Sequence, residues 1–166
     1  KILEEHPDQT RKLRALWALQ VTGAVTPELR LKLLDSPHEY LRAWAIQLEM
    51  EGRGAAPAKY AEMARRDPSP VVRLYLASAC QRMAFEQAVE ILSGLASHAE
   101  DAGDPNLPLM IWYAAWPLAE RDPDRAIAFV REAKIPLLRE FMSRQLATLA
   151  PAAPRKAPPD APSGTI

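Results

Sequence analysis

Prolines and short polar clusters interrupt this chain at regular intervals, and they constrain its fold more than any other feature. The interruptions are "HPDQ", "VTP", "DSPHE", "EGRGAAP", "RDPSP", "DAGDPNLP", "RDPD" and "KIP". Between them, apolar residues recur at helical spacing, and Val, Ile and Thr do not alternate as they would in strands. We therefore predict an all-α chain before Pro151, with helices over residues 8–22, 27–35, 38–51, 57–66, 70–83, 85–100, 107–120, 123–133 and 136–149.

A second regularity groups these helices into pairs. An apolar residue followed by arginine recurs along the chain, with methionine replacing arginine once, at Leu13-Arg14, Leu41-Arg42, Val72-Arg73, Leu109-Met110 and Leu138-Arg139. Successive copies are 28, 31, 37 and 29 residues apart. A period near 30 residues with two helices per unit is typical of an α-solenoid, whose units must stack to cover their apolar faces. The sequence predicts about five helix pairs.

Two of these units resemble the HEAT repeat. "YAEMARRDPSPVVRLYLASACQRM" has an aspartate in the turn, a proline opening the second helix, and then Val-Arg, and "LLDSPHEYLRAWAIQL" follows the same pattern with one extra residue. The resemblance implies a right-handed α-α superhelix. It also implies that aspartates and arginines of successive turns form a structural ladder, a role that falls here to Asp35, Arg42, Asp67 and Arg73.

The order of the segments is similar to the helical-repeat region of a group of large bacterial proteins described as membrane-bound dehydrogenases with a haem-binding C-x-x-C-H module. That resemblance covers nearly all of residues 10–150. It implies a periplasmic or otherwise extracytoplasmic parent with a sugar-dehydrogenase-like propeller before this region and a cytochrome c-like domain after it. Neither C-x-x-C-H nor a propeller pattern occurs in this chain, so we expect no cofactor and no redox activity here.

Aromatic residues occupy one position of the repeat. The residue two places after the arginine position is Leu16, Trp44, Tyr75, Trp112 and Phe141. Large rings at one position in successive units are what stacked helix pairs need to fill their core, so we predict that this column is buried. The next position reads Trp17, Ala45, Leu76, Tyr113 and Met142, and we predict that Tyr113 is half-buried.

The fourth unit departs from the repeat. Its preceding loop is the longest, Met110 replaces the ladder arginine, and Ile111 and Ala115 stand at positions that we assign to the outer face. An apolar patch where a charge is lost is a candidate docking surface. We predict that Asn106, Met110, Ile111 and Ala115 contact a neighbouring domain of the parent or another protein; an irregular but uninvolved repeat is the alternative.

The sequence offers no group of residues suited to catalysis or metal binding. His6, His38 and His98 lie in different units without metal-ligand spacing, and Cys80 has the helical spacing of a core residue. We predict no catalytic, cofactor-binding or metal residues, and we assign carboxylate pairs such as Glu100-Asp101 to the solvated surface. This fragment is expected not to be an enzyme.

Charge and hydropathy limit the classes of partner. Lysine plus arginine equals aspartate plus glutamate at 21 each, so no net basic field attracts nucleic acid. No apolar run approaches the roughly 18 residues of a membrane helix, and we expect no membrane insertion. A HEAT-like DNA glycosylase remains an alternative, because such enzymes use tryptophans and an acidic residue, for which Trp17, Trp44, Trp112 and Asp104 are candidates.

The composition changes after residue 150. Five of the sixteen prolines fall within "PAAPRKAPPDAPSGTI". Such a segment has too little apolar surface to fold, so we predict a helical repeat domain over 1–150 and an extended linker or disordered tail over 151–166. The predicted function is a non-catalytic scaffold or spacer that mediates contacts between domains or proteins. A free-standing adaptor that binds a peptide on its concave face is the alternative, and a tail that could reach back to the repeats favours it.

Overall fold

The computed structural model describes residues 1–51 and 58–149, and these residues form helices without β-strands. The helices are α1 (Ile2–Glu5), α2 (Gln9–Val21), α3 (Pro27–Leu33), α4 (Glu39–Glu51), α5 (Lys59–Arg66), α6 (Pro70–Cys80), α7 (Phe85–Leu95), α8 (Leu107–Arg121), α9 (Pro123–Glu132) and α10 (Pro136–Leu149). A 3₁₀ helix, Ala99–Gly103, precedes α8. The all-α prediction is confirmed, and the predicted tail lies outside the described residues.

Local chemistry explains where several helices begin. The side chains of Thr26, Ser69 and Asp122 each accept a hydrogen bond from the backbone N–H three residues later, at 3.2, 3.4 and 3.0 Å. In each case a proline occupies the first helical position, where a backbone N–H would have no helical partner. The same short sequences both end the preceding turn and start the next helix.

Consecutive helices form five pairs, and the pairs are joined mainly through their second helices. Each odd-numbered helix packs against the helix that follows it, from α1 with α2 to α9 with α10. Among the second helices, α4 packs against α6, α6 against α8, and α8 against α10, whereas α2 contacts α4 more loosely. Among the first helices of the pairs, α5 packs against α7. The core lies between the first helices and the second helices of the pairs.

The approach of α7 to α5 depends on Gly94. A Cβ atom at this position would lie 3.0 Å from the Cβ of Ala64 and 3.0 Å from the Cγ of Arg65, closer than ordinary van der Waals contact. We expect Gly94→Val to lower the free energy of unfolding by about 1–3 kcal/mol, because the helices must separate to admit the larger side chain. Urea denaturation measures this. Ser93→Val on the exposed side of α7 is the matched control, and equal losses in the two variants would contradict the close approach.

The structure corrects the orientation that the sequence predicts for α8. Ile111 and Ala115 are fully buried and share the core face of the helix with Leu107 and Leu118, so they do not form an outer patch. In α6 the corresponding core positions begin at Val72, which therefore matches Leu107 and not Leu109. Because each residue turns an α-helix by about 100°, this shift of two residues moves a side chain to nearly the opposite face.

The same shift explains two further differences from the sequence prediction. Tyr113 is 58% exposed, although we predicted that it would be half-buried. Met110 is half-buried, and its sulfur lies 3.1 Å from Nε2 of Gln81, the residue that follows α6. Asn106 is exposed, immediately before α8 begins. Only Asn106 and Met110 of the predicted docking residues are therefore on or near the surface.

Candidate functional site

Two buried ion pairs connect the turns of successive helix pairs. Arg42 donates from Nε and Nη2 to both carboxylate oxygens of Asp67, at 2.8 Å each. Arg73 donates in the same way to both carboxylate oxygens of Asp101, at 2.7 and 2.5 Å. The two-point geometry fixes orientation as well as distance. The arginines and aspartates thus join the turn before α6 to α4, and the turn before α8 to α6.

Each arginine also bonds to a backbone carbonyl of its own turn. Nη1 of Arg42 donates to the carbonyl of Ser36, and Nη1 of Arg73 donates to that of Asp67, at 2.8 and 2.7 Å. Asp67 therefore contacts both arginines, one through its carboxylate and one through its main chain. The side chains of Arg73 and Asp101 are each 3% exposed, so this pair is removed from water almost completely.

The membership of the ladder differs from the prediction at two positions. Asp35 has a side chain that is 71% exposed and pairs with Lys59, so the structure does not bring it to Arg42 or Arg73. Asp101, which we assigned to the solvated surface, instead pairs with Arg73. The 3₁₀ helix Ala99–Gly103 turns Asp101 inward, and the repeat pattern contained no such insertion. One signal was present in the spacing: Asp101 follows Arg73 by 28 residues, close to the 25 residues that separate Asp67 from Arg42.

His98 and Glu100 make a further connection near this turn. Nε2 of His98 lies 2.9 Å from the backbone carbonyl of Ala64, and Nδ1 lies 2.7 Å from the Glu100 carboxylate. The pKa of the Glu100 carboxyl is lowered, first by its own backbone N–H and then by the hydrogen bond from His98. His98 therefore links the end of α7 to α5, a contact that its position in the sequence did not indicate.

Aromatic side chains and Met110 form a surface along the second helices of the pairs. We call it the aromatic surface and define it as Trp17, Trp44, Tyr75, Met110, Trp112, Tyr113, Trp116 and Phe141. Of the predicted buried column, only Leu16 is fully buried, and the four aromatic members are half-buried. Trp44, Tyr75 and Trp112 pack against the core from one side. Trp17, Tyr113 and Trp116 are 39%, 58% and 43% exposed. The aromatic side chains thus border the core and remain partly exposed to solvent.

Rings of neighbouring helices contact one another within this surface. Trp17 on α2 meets Trp44 on α4 edge to face, with centroids 5.2 Å apart. Trp112 on α8 meets Phe141 on α10 in the same geometry at 4.9 Å, and it also contacts Trp116 at 5.3 Å. These edge-to-face arrangements are the favourable ones for aromatic pairs.

Two clefts open along the aromatic surface. One, of about 360 Å³, is lined by Trp44, Gln47, Leu74, Tyr75, Ser78 and Met110. The other, of about 340 Å³, lies between α8 and α10 and is lined by Trp112, Trp116, Phe141, Arg144, Gln145 and Thr148. We call the second one the α8–α10 cleft. Both combine ring surfaces with a few polar groups, a combination typical of sites that bind organic ligands or peptides.

Two residues of the α8–α10 cleft have unsatisfied polar atoms. Nε1 of Trp112 and Oε1 of Gln145 are buried and have no hydrogen-bond partner within residues 1–51 and 58–149. The amide nitrogen of Gln145 does have one, the backbone carbonyl of Trp116 at 3.0 Å. Leaving a buried donor or acceptor without a partner costs about 1–3 kcal/mol. A buried hydrogen-bond donor and a buried acceptor, both without partners in the described residues, therefore lie beside the α8–α10 cleft.

The remaining candidate residues have structural environments. Cys80 is 4% exposed, as predicted, and burial raises the pKa of its thiol to about 12. Asp104 accepts hydrogen bonds from the backbone N–H groups of Asn106 and Leu107, both at 2.8 Å, and thereby supports the start of α8. In the part of the chain that the structure describes, no three histidine, cysteine or acidic side chains are placed to hold a metal ion.

Within the described ranges, no helix is both long enough and apolar enough to cross a membrane. Comparison with known proteins gave no match to a protein-family model, to a curated protein or to a solved structure.

Proposed function

We propose that this chain is a HEAT-like, right-handed α-solenoid that acts as a non-catalytic scaffold, mediating contacts between domains or proteins. The observation that carries the proposal is the Arg–Asp ladder, in which Arg42–Asp67 and Arg73–Asp101 join equivalent turns of successive helix pairs. A ladder of this kind would hold successive helix pairs at a similar offset, and the two ion pairs in the described residues support that role. That role is structural, and it leaves an extended face for binding.

The packing of the second helices supports the same proposal. Because α4, α6, α8 and α10 each contact the next in order, each pair covers part of its neighbour's apolar face. The aromatic surface runs across these helices and remains partly exposed at Trp17, Tyr113 and Trp116. Exposed aromatic groups that extend over several elements are typical of surfaces that bind other proteins.

The resemblance of the sequence supplies the setting of the proposal. We infer from it that the scaffold belongs to a large bacterial, extracytoplasmic protein with dehydrogenase-like and haem-binding modules, whose neighbouring domains would be the partners. The fragment itself would hold no cofactor and carry out no reaction. A second candidate, a free-standing adaptor that binds a peptide on the aromatic surface, is favoured by the unsatisfied polar atoms beside the α8–α10 cleft.

Site-specific photo-crosslinking in the full-length protein tests the proposed function. A photoreactive phenylalanine analogue replaces Tyr113, which is 58% exposed on the aromatic surface. The matched control places the same analogue at Ile127, which is 50% exposed on α9. We expect position 113 to form crosslinks to one defined segment of a neighbouring domain or bound protein, and position 127 to form none. Equal crosslinking at both positions, or none at position 113, would overturn the proposal.

A further inference from the structure

The α8–α10 cleft lies next to the end of α10. Thr148 lines the cleft, and the helix ends at Leu149, so the chain leaves the described residues beside it. Arg144 and Gln145 line the cleft from the same helix, one turn earlier. The residues that directly follow Leu149 are therefore tethered near Trp112, Trp116 and Phe141. Their effective concentration at the cleft is high.

The sequence that follows is rich in proline. Residues 151–162 contain five prolines, Pro151, Pro154, Pro158, Pro159 and Pro162. Proline-rich sequences favour the polyproline II conformation, which rises about 3.1 Å per residue and forms no internal hydrogen bonds. Its carbonyl groups are free to accept, and its pyrrolidine rings pack well on aromatic side chains. Grooves that bind such segments are accordingly lined by aromatic residues.

The chemistry of the cleft matches these requirements. The Trp112 indole N–H is a donor without a partner in the described residues, and it can donate to a backbone carbonyl of a proline-rich segment. Oε1 of Gln145, whose residue is 7% exposed, can accept from the N–H of a non-proline residue such as Ala152 or Ala153. The rings of Trp116 and Phe141 offer flat apolar area for the prolines.

We propose that the α8–α10 cleft binds a short stretch within the chain's own proline-rich segment, residues 151–162. Because the unsatisfied atoms are buried, docking requires a small opening of the cleft. Trp116 is 43% exposed and packs edge to face on Trp112, so a small rotation of its ring can widen the cleft while the ring remains one of its walls. Docking then gives hydrogen-bond partners to both unsatisfied atoms and covers part of the aromatic surface.

Because the connection between α10 and the proline-rich segment is short, weak binding is enough to keep the cleft occupied. A segment tethered by a few residues has an effective concentration in the millimolar range, so the cleft is occupied even when the free peptide would bind only at millimolar concentration. The bound segment would compete with an outside partner for this end of the aromatic surface. That regulatory consequence rests on the proposed function, whereas the docking itself does not.

A spin-label experiment on the full chain tests the docking. Ala157→Cys places a thiol in the middle of the proline-rich segment, just before Pro158, and a nitroxide attached there broadens the NMR signals of nearby nuclei. Cys80 does not react, because its thiol is buried and burial raises its pKa to about 12. We expect selective broadening of the indole N–H signals of Trp112 and Trp116, and none at Trp17 or Trp44.

Two further variants separate docking from simple proximity. Replacing all five prolines of 151–162 by serine in the Ala157→Cys chain keeps the tether but removes the proposed ligand, and we expect the selective broadening to be lost. Trp116→Ala removes an exposed cleft wall, and the broadening of Trp112 should be lost as well. Broadening that is unchanged by the proline replacements, or equal at all four tryptophans, would overturn the proposal.

The outcomes also distinguish this inference from the proposed function. If position 113 forms no crosslinks while selective broadening is retained, the scaffold function is wrong and the docking stands. If the crosslinks form but the broadening is not selective, the docking is wrong and the scaffold function stands.

Discussion

Asp101→Ala is expected to lower the free energy of unfolding by about 3–5 kcal/mol, the largest effect that we expect from a single substitution in this chain. Without the Asp101 carboxylate, the Arg73 guanidinium stays 3% exposed and keeps the Asp67 carbonyl at 2.7 Å. The Glu100 carboxylate, 3.8 Å from Nη2 of Arg73, is 62% exposed and too far away to replace the two short bonds. Urea denaturation followed by circular dichroism measures the loss.

Two controls define what this loss means. Glu62→Ala removes a partner of Arg66 in an exposed pair, with side chains 64% and 79% accessible, and should change stability by less than about 1 kcal/mol. The double variant Arg73→Met with Asp101→Leu removes both charges, so it should recover most of the loss. If Asp101→Ala costs no more than Glu62→Ala, the ladder does not hold the turns together.

The helix boundaries could be predicted from the sequence because they depend on neighbouring residues. The dipeptides Thr26-Pro27, Ser69-Pro70 and Asp122-Pro123 each supply a capping oxygen and a proline preset for the first helical turn. These interactions span three residues or fewer, so the sequence alone shows all the residues that take part. The predicted helices correspond one to one with α2 to α10.

The ladder could be predicted only in part. Arg42, Asp67 and Arg73 lie in two units that follow the repeat pattern, and the structure brings them together as two connected turns. Asp101 lies in the 3₁₀ helix that lengthens the fourth unit, where the pattern gave no position for an aspartate. Which carboxylate meets a buried arginine depends on the path of the inserted turn, and that path is set by packing between distant residues.

The orientation of α8 could not be predicted because its sequence is apolar on nearly every side. In "LPLMIWYAAWPLA" no polar residue marks the solvent face, so the hydrophobic period does not select a register. The structure selects one in which Leu107, Ile111, Ala115 and Leu118 face the core. Trp112, Tyr113 and Trp116 on the remaining faces then become partly or largely accessible, although we predicted that Trp112 would be buried and Tyr113 half-buried.

This register leads to the second large expected effect. Ile111→Ala should lower the free energy of unfolding by about 2–5 kcal/mol, because it deletes a fully buried side chain and leaves a cavity between α8 and the helices that cover it. An outward-facing Ile111 would instead change stability by less than about 0.5 kcal/mol. Urea denaturation therefore distinguishes a core position from a docking position by a difference well above its error.

Met110 and Asn106 provide matched comparisons on the same stretch of chain. Met110→Ala removes a half-buried side chain beside the cleft of Trp44 and Tyr75, and it should cost less than Ile111→Ala because fewer contacts are lost. Asn106→Ala alters an exposed residue whose side chain makes no capping bond, so it should be nearly neutral. A smaller loss for Ile111 than for Met110 would contradict the register of α8 and restore the outward-facing patch as the candidate docking surface.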